Sequence, residues 1–325
     1  MKRYPSISIA IPTYNEEKNI LNCLFSIFNQ HYPGKLEVFV IDGGSTDETT
    51  EVVKKYPVHI LRNLQKTAEY GTKLGLMKGT GKYFMILGAD MTLVGNKWFE
   101  KMTEPLEENV KIVGSWTRFI SNPKDTAITK FITLDLLQRD PLFTYLTPSI
   151  ESCVLHKLKN YWIIKYSKNK ILPAGFCLYR RDEIMKTEIR LRKKYMELDN
   201  LALLVASGKD TFAYVPTLGF HHPFLNSLNE AIRKRQRNLE TMYFNQPDKR
   251  YWTWIDWRNP LHLGKIFLWI IYCYLLFPSL FVGIYKSVKY KSWVGLYELP
   301  FNIITTSAII MSFLRQGRKK IDHLL

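Results

Sequence analysis

Asp42 stands where the apolar run Val38-Phe39-Val40-Ile41 stops, and Gly43, Gly44 and Ser45 follow it. A carboxylate so placed can accept the imide N–H of a uracil or the amine edge of a guanine, and the glycines let backbone come close to a ligand. The same residues also make good helix-capping chemistry. A second apolar run, Ile9-Ala10-Ile11, ends in Pro12, Thr13, Tyr14, Asn15 and Glu16. Further on, Asp90 follows Gly88 and Ala89, and Glu197 and Asp199 stand two residues apart. His221 and His222 are adjacent before Pro223, and Arg233, Lys234, Arg235 and Arg237 cluster. Acids at a helix start suit its dipole. Arginine forks suit phosphate oxygens, and a solvated helix face has the same composition.

Alternating strands and helices must position these groups. Residues 6–12 alternate around Ile7, Ile9 and Ile11 and predict a strand; Glu16 to Asn29 has helical spacing. Val38–Ile41 reads as a strand buried on both faces. A helix over 47–55, a strand over 58–61, a helix over 68–77 and a strand over 83–87 follow. This order predicts an α/β fold with a mostly parallel, doubly wound sheet. Ligands bind such sheets at the carboxyl ends of strands, so the ends at Thr13 and Asp42 make half of a nucleotide pocket. Residues 110–170 follow no clean period. A strand is expected over 174–181, a helix over 200–207, a strand over 212–215 and an amphipathic helix over 227–243.

The chain has 325 residues and a formal net charge of +17, of which +2 falls in residues 1–150 and +15 in residues 151–325. A basic second half suits an anionic partner or a solvated surface. No nucleic-acid-binding module is recognisable, so nucleic acid is not an expected partner. The four cysteines are scattered with no C-x-x-C, which argues against a zinc ribbon and a disulfide scaffold. The opening apolar run is broken by Pro12 and Asn15, too short for a signal peptide, so the enzyme-like part is expected in the cytoplasm.

Ile266–Tyr285 carries no charge over 20 residues, enough for a helix to span a bilayer. Leu296–Leu314 is a second such run, weakened by Glu298 and Pro300. An aromatic cluster from Tyr251 to Trp257 precedes the first and suits a membrane interface. The expectation is a C-terminal helical membrane hairpin, spanning or lying in one leaflet, with domains at 1–250 and 251–325.

The runs Ile9–Glu16 and Val38–Asp47 resemble family 2 glycosyltransferases of the GT-A fold. The likeness covers roughly residues 5–225. It implies a Rossmann-like catalytic domain, a UDP- or GDP-sugar donor, a divalent Mg²⁺ or Mn²⁺ and inversion at the sugar. It further implies donor contacts from Pro12, Tyr14, Glu16, Asp42, Lys73 and Ala89. Outside the likeness, the cluster from Arg233 to Arg237, with Arg235 at its centre, suits either the diphosphate leaving group or a lipid phosphate. Gly88-Ala89-Asp90 stands where the family has Asp-x-Asp, with glycine in place of the first acid. Asp90 and His222 are the implied metal ligands. Glu197-Leu198-Asp199 stands where the family has a Glu-Asp pair, and Asp199 is favoured over Glu197 as general base. Two rival phosphate motifs fail: Leu76 and Tyr83 break the P-loop pattern around Gly81-Lys82, and no G-x-G-x-x-G follows a strand. With the apolar C-terminus, the expected function is a membrane-associated transferase acting on a hydroxyl of a lipid-linked or membrane-held glycan. It would sit at the cell membrane with its catalytic domain in the cytoplasm. The alternatives are a polyprenyl-phosphate sugar synthase and a non-catalytic nucleotide-sugar-binding scaffold.

Overall fold

The computed structural model describes residues 4–244 and 250–322. The chain packs as two compact units, Met1–Ile120 with Thr147–His222, and Ser121–Leu146 with Pro223–Leu325. The second unit thus joins the C-terminal helices to two segments that precede residue 250.

The first unit opens with β1 (Ile7–Thr13), α1 (Ile20–Phe28), β2 (Leu36–Asp42), α2 (Thr49–Val53), β3 (His59–Arg62), α3 (Ala68–Lys78) and β4 (Tyr83–Ile86). α1 buries Ile20, Cys23, Leu24 and Ile27, the i, i+3, i+4, i+7 stripe that makes it a helix. It starts after Glu16, because Asn15 takes a left-handed backbone (φ +53). α3 lies directly on β1: a Cβ at Gly75 would come within 2.5 Å of the Ala10 Cβ, so only glycine permits that approach.

β5 (Thr92–Val94), α4 (Trp98–Glu108) and β6 (Ile112–Phe119) come next. Two short helices, α5 (Ala127–Ile132) and α6 (Pro141–Leu146), belong to the second unit. The first unit resumes with β7 (Val154–Lys157), β8 (Trp162–Lys165), β9 (Leu178–Arg180), α7 (Arg181–Lys186), α8 (Glu197–Ala206) and β10 (Thr211–His221). The strand order is β3-β2-β1-β4-β9-β6-β10-β8-β7, with β5 also on β10.

The sheet is mixed, not mostly parallel as the sequence predicts. β1 to β4 pair in parallel, as do β6 and β10. β9 runs antiparallel between β4 and β6, and β5, β8 and β7 add further antiparallel pairs. β7 and β8 lie in the stretch without clean period. β9 is only three residues long, too short for alternation to report its direction.

The second unit continues with α9 (Leu228–Leu239), α10 (Pro260–Tyr274), α11 (Phe277–Lys289) and α12 (Glu298–Asp322). Ser227 caps α9 by accepting from the Glu230 N–H. The run Ile266–Tyr285 is not one helix: α10 and α11 bend by 81° at their junction. Pro278 lacks an N–H and its ring would clash with the carbonyl of Tyr274, four residues back, so the helix must break. Leu276 absorbs the turn at φ +58. The expected two-helix hairpin is therefore three helices. Among the described residues, one helix, Trp293–Gln316, is long and apolar enough to cross a membrane.

These helices place polar groups inside and apolar groups outside. Glu298, Asn302, Thr305, Thr306 and Ser279 are buried, while Phe267, Leu268, Phe277, Phe281 and Val288 are each more than half exposed. Glu298 receives Lys286 Nζ at 2.5 Å, Tyr272 Oη at 2.9 Å and Asn302 Nδ2 at 3.0 Å.

Candidate active site

β1 and β2 run in register, Thr13 opposite Asp42, so their ends meet at one edge. The loops beyond are stitched together across about thirty residues of sequence. The Gly43 N–H donates to the Thr13 carbonyl at 2.8 Å, and the Asn15 N–H to Ser45 Oγ at 2.9 Å. Asn15 Oδ1 accepts from the Thr46 N–H at 2.9 Å, and Thr49 Oγ1 from the Glu16 N–H at 2.8 Å. Asp42 folds its own turn, accepting from the Gly44 N–H at 2.9 Å and from Ser45 Oγ at 2.5 Å. Gly44 sits at φ +89, which favours glycine. Tyr14 is 53% exposed at this edge, beside Gly43. Asn15 and Ser45 hold the cleft together; strand-end composition alone does not single them out.

β4 delivers Asp90 to the same edge. β5 then pairs with the end of β10, setting Thr92 opposite His221. That pairing brings His222 Nε2 to 3.2 Å from Asp90 Oδ2 across 132 residues of sequence. Both side chains keep partial solvent access. Burial raises the Glu16 carboxyl above its ordinary range, opposed by the Asn19 amide, with Asp90 and Asp47 close enough to add to the rise. Glu16, Asp90 and His222 thus share one electrostatic environment. Among the described residues, no three His, Cys, Asp or Glu side chains gather to hold a metal unaided. One carboxylate and one imidazole are a donor set that fits Mg²⁺ or Mn²⁺ only when substrate phosphate oxygens complete the shell. A Cβ at Gly88 would lie 2.8 Å from Asp90 Oδ1, the movable end of a side chain.

The ring of His222 lies 6.2 Å from that of Phe119, which meets Phe176 edge-on at 6.0 Å. The Phe176 and Cys177 N–H groups donate to the two oxygens of Glu197, at 2.8 and 3.0 Å. Burial pushes the Glu197 carboxyl up to about 7 despite these donors. Asp199, two residues on in the first turn of α8, is fully buried. Asn200 beside it is also fully buried, with neither amide atom paired among the described residues. Buried polar atoms without partners call for an explanation. Asn200 carried no signal in the sequence beyond its neighbour.

Three expected donor contacts are placed differently. Lys73 is buried in α3, and its Nζ donates to the carbonyls of Ile189 at 3.0 Å and Arg190 at 2.6 Å. Burial pushes its ammonium down to about 8. It anchors the short turn Glu188–Leu191 ahead of α8. Ala89 is buried in the hydrophobic core rather than facing the cleft. Arg235 belongs to the second unit, where its guanidinium pairs with Asp140 and lies 4.3 Å over the ring of Phe143. Pro12 packs within 3.2 Å of where a Gly71 Cβ would stand, bracing α3 against the end of β1.

The model of the family described as Glycosyl transferase family 2 matches residues 8–184. The dolichyl N-acetyl-alpha-D-glucosaminyl phosphate 3-beta-D-2,3-diacetamido-2,3-dideoxy-beta-D-glucuronosyltransferase of Methanococcus voltae is 40% identical over 91 residues, 26% of this chain and 28% of that protein. Glycosyltransferase AglE of Haloferax volcanii is 28% identical over 142 residues, 41% of this chain and 46% of that protein. The aligned stretches thus span less than half the length of either curated relative. Among solved structures, the mannosyltransferase PcManGT from Pyrobaculum calidifontis, in complex with GDP-Man and Mn²⁺, aligns over 96% of this chain and 88% of its own. The TM-score is 0.54 at 15% identity, a likeness of fold. The mixed α/β sheet is consistent with the GT-A fold.

Proposed function

Because the chain belongs to glycosyl transferase family 2 and is a transferase, we propose that it moves a sugar, with inversion, from a UDP- or GDP-sugar to a hydroxyl of a lipid-linked or membrane-held glycan. The observation that carries this reading is the meeting of the β1 and β2 ends with the Asp90–His222 pair at 3.2 Å. The nucleoside lies against Pro12–Glu16 and the Asp42 turn. The diphosphate lies toward Asp90 and His222, which would hold Mg²⁺ or Mn²⁺. When bound, that ion neutralises charge on the departing diphosphate.

The acceptor oxygen attacks the anomeric carbon from the face opposite the diphosphate. The new C–O bond forms as the bond to the diphosphate oxygen breaks, and the nucleoside diphosphate leaves with the bonding pair. The acceptor proton goes to a carboxylate. We assign the base to Asp199, in the first turn of α8, while both Glu197 oxygens accept backbone N–H groups. Glu197 then positions the start of α8 against residues 176–177. Acceptor binding must open a path to Asp199, which is buried without it.

Membrane attachment is supported by the inside-out helices of the second unit. Polar residues within apolar helices face the bundle interior in proteins that lie in lipid, as Glu298 and Asn302 do here. The Methanococcus relative is named for a dolichyl-linked sugar phosphate, in keeping with a lipid-held acceptor. The cytoplasmic side remains part of this proposal.

The burial of Asp199 also favours a second reading, transfer directly onto a polyprenyl phosphate, because a phosphate nucleophile needs no general base. One assay separates the two. Protein in phosphatidylcholine vesicles is given UDP- or GDP-sugar, Mn²⁺ and either a lipid-linked glycan or a polyprenyl phosphate. Transfer to the glycan that collapses in Asp199→Asn supports the first reading. Transfer to the phosphate, unaffected in that variant and giving a product cleaved by mild acid, replaces it with the second. Donor binding without transfer to either would leave only the scaffold role.

A further inference from the structure

We infer that the second unit houses the hydrocarbon tail of a single-chain isoprenoid phosphate. This rests on the lipid-acceptor reading above and locates that lipid's tail. The site is a cavity of about 590 Å³ walled by α6, α9, α10, α12 and residues 253–257, with Trp254, Trp269, Ile266, Ile309 and Phe313 in its lining. That volume is in the range of ligand sites, roughly 300–1,000 Å³. Protein interiors are otherwise close-packed, and voids lined by apolar groups take up hydrocarbon rather than water. One narrow chain fits the space.

The polar end of the occupant follows from Arg235. Among the described lining residues it is the one charged side chain. Its pairing with Asp140 offsets the charge, and its Nε is buried with no hydrogen-bond partner among the described residues. A charge-balanced guanidinium with one donor to spare suits a single oxygen at the end of an apolar chain. A free anion would lack the apolar contacts. The apolar outer surface of α10 gives such a lipid a neighbouring medium from which to enter.

The test uses the full chain in phosphatidylcholine vesicles with a diazirine-tagged polyprenyl phosphate, followed by peptide mapping. Labelling is expected at the inward positions Ile266, Trp269 and Ile309. Excess untagged polyprenyl phosphate should compete it away, and excess phosphatidylcholine should not. The double variant Ile309→Phe/Ile310→Phe fills the space and should cut this labelling at least tenfold. A melting temperature within a few degrees of wild type shows that the variant is folded; should it misfold, Phe313→Trp serves the same purpose. Labelling confined to the outward Phe267, Leu268 and Phe281, or labelling that phosphatidylcholine competes, would overturn the inference in favour of bulk lipid contact. The readout does not depend on catalysis. Inward, competable labelling without sugar transfer sinks the proposed activity and leaves the tail site standing, whereas transfer with only outward labelling does the reverse.

Discussion

The strand ends at Thr13 and Asp42 and the helices α10 to α12 are polar and apolar in opposite places. At the strand ends the core is hydrocarbon and the rim is acid, amide and hydroxyl, tied by hydrogen bonds between loops thirty residues apart. In the helices the rim is Phe, Leu and Val, while Glu298, Asn302 and Thr306 sit within. The first suits a ligand dissolved in water, and on the proposed reading the second suits a surface that excludes it. The family likeness at residues 8–184 speaks to the first region. The second has to be judged on its own physics.

The sharpest way to break this contrast is to disable the proposed chemistry without touching the helices. Asp199→Asn should lower kcat by about 10²–10⁴, the usual worth of a general base, with membrane co-sedimentation unchanged. Equal activity in the variant would remove Asp199 from the mechanism. Asp90→Ala, and chelation of the wild type with EDTA, should each cost about 10²-fold in turnover at low Mn²⁺, with Mn²⁺ add-back restoring only the wild type. His222→Ala should raise the Mn²⁺ needed for half-activity by roughly tenfold or more, measured by metal titration.

The converse experiment spares the cleft. Phe277→Glu with Phe281→Glu should weaken sedimentation with vesicles by about tenfold or more and leave UDP- or GDP-sugar binding intact, read by calorimetry. Undiminished sedimentation would mean that the outward apolar face has another purpose.

The smallest effect expected is on pH-dependent stability. The Glu197 carboxyl is held up at about 7 in the folded chain, above its value when unfolded. The folded state therefore binds more protons between those values, and its stability falls as pH rises from roughly 4.5 to 7. Glu197→Gln should flatten that slope, which amounts to about 3 kcal/mol across the window. Thermal melting at several pH values reads it directly, and an unchanged slope would mean that the carboxyl is already ionised.

Legibility from sequence followed the same division. β2 and β4 were readable because each is a continuous apolar run ending in turn residues, β1 because its isoleucines alternate, and α1 because its stripe repeats at helical spacing. Asp90 and the β1 and β2 ends were legible for the same reason. The sheet's direction was not, since β9 has three residues and β7 and β8 follow no alternation. Nor was the inward placement of Lys73, expected as a donor contact, because the carbonyls of Ile189 and Arg190 that hold it lie more than a hundred residues away in sequence. The break at Pro278 was available in principle: proline within an apolar run argues against one straight helix.

That break has a mechanical consequence. Two helices joined at 81° form a wedge rather than a rod. A wedge seated among the headgroups of one monolayer enlarges that monolayer's area while leaving the opposite one alone. The proposed attachment should therefore strengthen on small, convex vesicles and on lipids with packing defects, and weaken on flat, tightly packed bilayers.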